Sequence, residues 1–421
     1  MIFCASSIKL TPNTTMTKAP ELTKTKFDVR RIIGKIEGKH PGPCIIFFGS
    51  IHGNETSGYL ALKRFFDPAV TRNISNKLRG TIIGITGNIK ALNEGKRFIE
   101  KDLNRIWTHE NLARISKHPE LFDGNEYAEM RDLYAEINNI LTGGATNYYF
   151  IDLHTTSGST LPFVIINDSL QNRALARFFP TPVVLGIEEY LEGTIMDYIN
   201  DLGFPAIAME SGQHDDMESE DIHFASVWVA LVAAGCLKEE EVRGYKAHCD
   251  RIRFAAVAEK RNFYEVVYRE PVNANQEFVM NNGYSNFHRV AKGETLAHKN
   301  KKEIIAEYSG RIFMPLYQSQ GSEGFFIIRK INKIWLRLSR FLRKNKLEYV
   351  FTVLPGIQIK PEERNVLIVN KKIAAFFSTD LLHLFGYRKV RINGSKVEYV
   401  KREIPQYTQP YYLKTEANKQ Q

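Results

Sequence analysis

The chain has 421 residues, 43% of them hydrophobic and 25% charged, a balance that fits folded globular domains and predicts two or three of them. Its formal charge of +10 is confined to one end: residues 331–421 hold 18 Lys/Arg against 7 Asp/Glu, and the first 330 hold 39 against 40, so no nucleic-acid partner is expected of the body of the protein. No run of eighteen apolar residues occurs, which excludes a membrane-spanning helix, and four scattered cysteines without C-x-x-C spacing fit reduced thiols in a cytoplasmic protein rather than a disulfide framework or a cysteine metal site.

The opening M-I-F-C-A-S-S-I-K-L has only a short apolar run after Met1. No secretory leader is expected, Met16 is an alternative start, and residues 1–25 are read as a flexible segment. Up to about residue 236, short β-rich apolar runs alternate with longer helical ones. Strands are predicted at 44–48, 81–86, 148–153, 163–166, 183–186 and 206–209, with helices at 125–141, 171–179, 194–202 and 218–234. This alternation predicts a layered α/β domain over 26–261 with a parallel or mixed twisted sheet, whose sites lie beyond the carboxyl ends of strands.

Over 262–330 the texture changes to short β runs broken by Gly and Asn, such as F-Y-E-V-V-Y and G-R-I-F-M-P-L-Y, which predicts a small β-barrel or sandwich. Residues 331–421 read as a basic α+β extension. In I-N-K-I-W-L-R-L-S-R-F-L-R-K-N, Ile331, Ile334, Trp335, Leu338, Phe341 and Leu342 share one helical face, and Lys333, Arg337, Arg340, Arg343 and Lys344 the other. Such a helix can lie on an anionic surface, but the commoner arrangement docks the apolar face on a neighbouring domain and leaves the charges solvated. Asn393-Gly394 between two alternating runs predicts a hairpin.

The chemistry begins at S-I-H-G-N-E-T-S-G, directly after C-I-I-F-F-G. His52 and Glu55, on the turn that leaves a strand and opens a helix, can point at one centre. Imidazole and carboxylate ligands suit Zn²⁺, one ion per chain, and a catalytic zinc needs a third ligand and an open position. His154, in Y-F-I-D-L-H-T-T-S-G, ends another apolar run and is the best third ligand, with Asp152 two residues earlier placed to orient an imidazole. Glu210, in A-I-A-M-E-S-G, ends a further strand and is the candidate general base. The stretch G-K-R-F-I-E-K-D-L-N-R-I-W brings Arg97, Asn104 and Arg105 together, groups suited to polarising a carbonyl and binding a carboxylate.

In this order, H-G-N-E, N-x-x-A with R-F-x-x-x-D-L-N-R, D-L-H-T-T-S-G and M-E-S-G resemble the succinylglutamate desuccinylase/aspartoacylase family of the zinc carboxypeptidase superfamily, over roughly residues 40–330. The resemblance implies zinc held by His52, Glu55 and His154, Glu210 as general base and acid, Arg97 polarising the scissile carbonyl, and Asn104 and Arg105 binding a substrate carboxylate. It implies a deacylase acting on a small N-acyl amino acid, with carboxypeptidase-type trimming of a peptide or conjugate as the alternative. A non-catalytic zinc protein using its tail on membrane or nucleic acid is the remaining reading. Two departures stand out. Aspartoacylases carry a further arginine shortly before the catalytic glutamate, whereas 187–209 holds no Arg or Lys and offers Glu188, Glu189, Glu192, Asp197 and Asp201, either a site for an ammonium group or the wet face of a helix. A tyrosine donated by the β domain is replaced in E-G-F-F-I-I-R by Phe325 and Phe326.

Overall fold

The computed structural model describes residues 29–402, apart from 73, 257–260, 274, 348–350, 352, 362, 371, 374–378 and 394–395; the segment 1–25 lies outside the described residues. The strands in chain order are β1 (Ile32–Glu37), β2 (His40–Gly49), β3 (Arg79–Thr86), β4 (Tyr148–Thr156), β5 (Phe163–Ile166), β6 (Val183–Leu185), β7 (Ala206–Gln213), β8 (Phe263–Pro271), β9 (Phe278–Met280), β10 (Arg289–Val290), β11 (Thr295–Lys299), β12 (Lys302–Ile305), β13 (Gly310–Phe313), β14 (Glu323–Lys330), β15 (Ile357–Lys360), β16 (Glu363–Asn370), β17 (Tyr387–Asn393) and β18 (Lys396–Lys401). Each predicted strand of the α/β region is present, and the helix Asn125–Leu141 has the bounds its periodicity predicts. The helix expected to open after Glu55 spans Thr56–Phe65, and the helix Tyr245–Ala255 and the strand β1 have no counterpart among the predicted elements.

Eleven strands form one mixed sheet in the order β1-β3-β2-β4-β7-β5-β6-β8-β14-β13-β10. At its centre β3, β2, β4 and β7 run parallel. β2 reads as an unbroken apolar run because both faces of the sheet are covered. Ile45 and Phe47 pack toward one side with Leu62, Phe65 and Val227; Cys44, Ile46 and Phe48 pack toward the other with Met130, Leu133 and Ile137. The helices Thr56–Phe65 and Glu218–Ala233 supply the first layer, and Asn125–Leu141 and Ile195–Asp201 the second.

The segment 262–330, expected as a small barrel or sandwich, is divided. β8, β14, β13 and β10 extend the large sheet, while β12, β11 and β9 form a separate one. Met280, Leu296 and Ala297 from the small sheet share a core with Ile312, Phe325 and Ile327 from the large one. Beyond it come the helix Lys333–Lys344 and a four-stranded sheet in the order β15-β16-β18-β17. β17 and β18 pair as the Asn393-Gly394 signal predicts, although Gly394 itself is not among the described residues. Among the described residues no helix is long and apolar enough to cross a membrane.

The extension is tied to the body through charge. Asp168, fully buried, receives Arg173 from the body at 2.5 and 2.9 Å and Arg343 from the extension at 3.2 and 3.4 Å, and it also pairs with Arg388. This departs in part from the expected packing of the helix Lys333–Lys344. Ser339 and Arg343 are buried, Ile331 and Leu336 pack on the main core and Leu342 on that of the four-stranded sheet, but Ile334, Trp335, Leu338 and Phe341 are 65, 53, 36 and 59% exposed. An Arg343 guanidinium committed to Asp168 sets the rotation of the helix, and the apolar stripe turns outward.

Burial alone raises the Asp168 pKa, but Arg173, Arg343 and Arg388 outweigh it and hold the carboxyl well below the usual range. A lowered carboxylate contributes stability above its unfolded pKa of about 4 and loses it as pH falls through the folded value. Asp168→Asn leaves three buried guanidiniums without their shared anion. Urea unfolding at pH 7 is expected to show a loss of about 3–5 kcal/mol, with a smaller difference between the proteins at pH 3.

Candidate functional site

The parallel register brings the site residues to one edge. Gly49 of β2 lies beside Leu153 of β4, and His154 beside Glu210 of β7. The chain leaves β2 through Ser50, whose φ is 59°, and its hydroxyl donates to the Glu55 carbonyl at 3.0 Å. The glycines of the motif serve close approach. A Cβ on Gly53 would lie 2.1 Å from the Ala91 carbonyl carbon, and one on Gly58 would lie 2.7 Å from the Leu153 Cβ. The loop is thereby pressed onto the helix Ile89–Glu94, and the helix Thr56–Phe65 onto β4.

Glu55 stands between the two histidines. Its Oε1 is 2.8 Å from His52 Nδ1 and its Oε2 is 2.9 Å from His154 Nδ1, with the Thr155 N–H donating to Oε2 at 2.9 Å. The outer nitrogens are held as well: His52 Nε2 is 3.0 Å from Asp102 Oδ1, and His154 Nε2 is 2.5 Å from Asp152 Oδ2. With each Nε2 held by an aspartate, each Nδ1 faces the Glu55 carboxylate and is the atom left to bind a cation once its own proton is gone. One donor atom from each of His52, Glu55 and His154 falls within 4.8 Å of the others.

The charges of this cluster ask for a cation. Burial raises the Glu55 pKa, but His52 and His154 hold it well below the usual carboxylate range. Burial lowers that of His154, but Asp152 and Glu55 hold it well above the ordinary imidazole value. A proton on His154 thus supplies positive charge between the carboxylates of Asp152 and Glu55. Two imidazole nitrogens, a carboxylate and a satisfied outer ring of hydrogen bonds are a donor set that fits Zn²⁺.

The other predicted residues surround the centre. Arg97 donates to Asp102 at 3.0 and 3.3 Å and to Glu55 at 3.3 Å. Glu210 is buried, its Oε2 has no hydrogen-bond partner, and burial pushes its pKa up to about 8. Asn104 lines the cavity but spends its side-chain oxygen on the Ile195 N–H, at the start of the helix Ile195–Asp201. Arg105 donates to the Asn104 carbonyl at 2.8 Å and to Glu323 at 3.0 Å. These groups line a cavity of about 130 Å³ together with Met314, Pro315 and Leu316.

Four contributors were missed. Asp102, the partner of His52, lies within the quoted D-L-N-R and was passed over beside its arginine. His214 follows Glu210 in the same stretch and bonds Thr155 at 2.8 Å. Gln318 approaches Asn54 and His214 at 3.3 and 3.4 Å. Glu323, the first residue of E-G-F-F-I-I-R, reaches Arg105 where Phe325 turns into the core of the smaller sheet.

Of the acidic segment after Gly186, Glu192 is exposed, but Glu188 and Glu189 are not on the wet face of a helix. Glu188 is 8% exposed and lines the cavity. Its Oε1 accepts the Asp168 N–H at 3.2 Å and lies 3.6 Å from Arg388 Nε, and its Oε2 has no partner. Glu189 pairs with Arg388 at 3.2 Å. The physical reason is that the extension covers this turn, so its acids meet arginines instead of water.

Residues 41–235 match the model of the succinylglutamate desuccinylase/aspartoacylase catalytic domain. A probable aspartoacylase of Acaryochloris marina is 28% identical over 142 residues, which are 32% of this chain and 42% of the relative. A succinylglutamate desuccinylase of Pseudoalteromonas atlantica is 28% identical over 117 residues, 27% of this chain and 31% of the relative. The chain thus spans less than half the length of these curated relatives. The solved succinylglutamate desuccinylase/aspartoacylase of Rhodobacter sphaeroides superposes on 71% of this chain and 88% of its own, with a TM-score of 0.51 and 15% identity, a likeness of fold. Over residues 41–235, this chain is similar to the catalytic domain of the succinylglutamate desuccinylase/aspartoacylase family.

Proposed function

We propose that the protein is a zinc-dependent deacylase that hydrolyses the linear amide of a small N-acyl amino acid or related conjugate. The observation that carries this reading is Glu55 set between two imidazoles whose outer nitrogens are both held by aspartates, beside the unpartnered Glu210 Oε2. His52, Glu55 and His154 would hold Zn²⁺, which when bound would supply a Lewis acid for the scissile carbonyl and the attacking water. Glu210 takes the proton of that water at Oε2 as the new C–O bond forms, and returns it to the nitrogen as the C–N bond breaks. Arg97, fixed by Asp102 and Glu55, retains N–H donors for the developing oxyanion.

Carboxypeptidase-type cleavage uses the same groups. The small volume of the cavity favours a compact conjugate over a peptide. In this reading 26–261 supplies the chemistry, and 262–330 supplies Met314, Pro315, Leu316 and Glu323 to the cavity lining. Arg105 takes one substrate carboxylate, using the buried Nε that has no partner. A second carboxylate has no counter-ion, because the remaining charged wall is Glu188, Asp197 and Glu323.

Amine release is therefore expected from N-acyl amino acids with neutral or basic side chains and not from N-acetylaspartate or succinylglutamate. Turnover of the acidic pair at comparable kcat/KM would overturn this assignment. Glu210→Gln is expected to lower kcat by about 10²–10⁴-fold. A base must be deprotonated to act, so kcat/KM rises with pH through the Glu210 pKa. A bound cation lowers that pKa from about 8, placing the acid limb between the ordinary carboxylate range and about 8, and Glu210→Gln removes the limb. Asp102→Asn and Asp152→Asn are expected to weaken zinc by about 10–100-fold each, read by competition with a chromogenic chelator and without reference to turnover.

A further inference from the structure

The helix Lys333–Lys344 presents an apolar face that the rest of the described protein leaves uncovered. Its inward side is marked by Ser339 and Arg343, 2 and 5% exposed, with Leu336 packed on the main core. At about 100° per residue, Ile334, Leu338 and Phe341 lie on the side turned away from the body, and Trp335 lies between them and it. Lys333, Arg337, Arg340 and Lys344 line one flank, all exposed. Residues 333–344 contain no Asp or Glu. The positive field continues onto the body through exposed Arg177, which lines one surface hollow with Arg340. Phe178, beside it, is 39% exposed.

We propose that this face docks on an anionic lipid bilayer surface, with Ile334, Leu338 and Phe341 entering the interface, Trp335 at headgroup level, and the four basic residues and Arg177 meeting lipid phosphates and carboxylates. The chemistry selects this occupant. A nucleic acid would engage the basic flank and leave the apolar residues in water. A second copy docked by the same face would set two acid-free basic helices against each other. A bilayer with anionic headgroups satisfies both halves at once, because an amphipathic helix lies in its plane with the apolar side inserted and the basic residues snorkelling to the surface. The extension's net positive charge adds long-range attraction.

The test uses the full chain and sedimentation with vesicles of phosphatidylcholine, with or without phosphatidylserine. Binding is expected with phosphatidylserine only, weakening as salt is raised. Trp335 fluorescence should shift to the blue on binding, a change lost in Trp335→Phe, since Trp107 and Trp228 are buried. The double variant Ile334→Ser/Phe341→Ser alters two exposed side chains, so its thermal unfolding should match the parent while vesicle binding is lost. Arg337→Glu with Arg340→Glu should weaken binding roughly tenfold or more. No binding by the parent, or undiminished binding by the serine variant, would overturn the proposal. Self-association without vesicle binding, lost in the serine variant, would reassign the face to a contact between copies. Retention on duplex DNA with no vesicle binding would reassign it to nucleic acid.

Discussion

The carboxylate of Glu55 is the interaction on which the rest of the site turns. It is buried, it faces an imidazole on each side, and each imidazole is backed by a further aspartate. Three acids gathered out of water around two histidines are stable only with positive charge at the centre. The residues supply it by holding a proton on His154 and setting Arg97 against Asp102 and Glu55. The same demand fits the donor set of His52, Glu55 and His154 to a metal cation. The cost of assembling it is met by the parallel register of β2, β4 and β7, which brings their carboxyl ends to one edge and leaves the side chains little freedom to move apart.

A second buried charge cluster, around Asp168, joins the extension to the body and reaches the cavity. Arg388 of β17 contacts Asp168, Glu188 and Glu189, and Glu188 lines the pocket wall. The turn at 187–189 is therefore held from behind by a segment outside the matched catalytic domain. Arginine suits this role because its fork can serve several carboxylates at once and it stays charged when buried. The segment carries acids at Glu188 and Glu189, and it receives Arg388 from another part of the chain.

What could be read from sequence was local. His52 and Glu55 lie three residues apart after an apolar run, Asp152 and His154 share one face of a strand, and the helix Asn125–Leu141 shows its own periodicity. The pairings that could not be read join distant residues: His52 with Asp102 across 50 positions, Arg105 with Glu323 across 218, and Asp168 with Arg388 across 220. No period or spacing encodes such pairs, since each depends on where the fold carries the chain. Asp102 was the most accessible of them, because a carboxylate between Arg97 and Arg105 invites a question about its partner.

The helix Lys333–Lys344 shows the same limit from the other side. Its amphipathic pattern is plain in the sequence, and apolar faces usually turn inward because burial of Ile, Leu and Phe outweighs the other terms. A hydrophobic pattern states which residues share a face; it does not state which face meets the body. Here the deciding contact is a guanidinium on an otherwise polar side of the helix, and Arg343 reaches a carboxylate that already holds two others. Swinging the apolar stripe inward would pull Arg343 away from Asp168 and leave that charge pattern short of one partner. Specific ion pairing thus overrides the usual direction of burial, and the exposed stripe is its structural consequence.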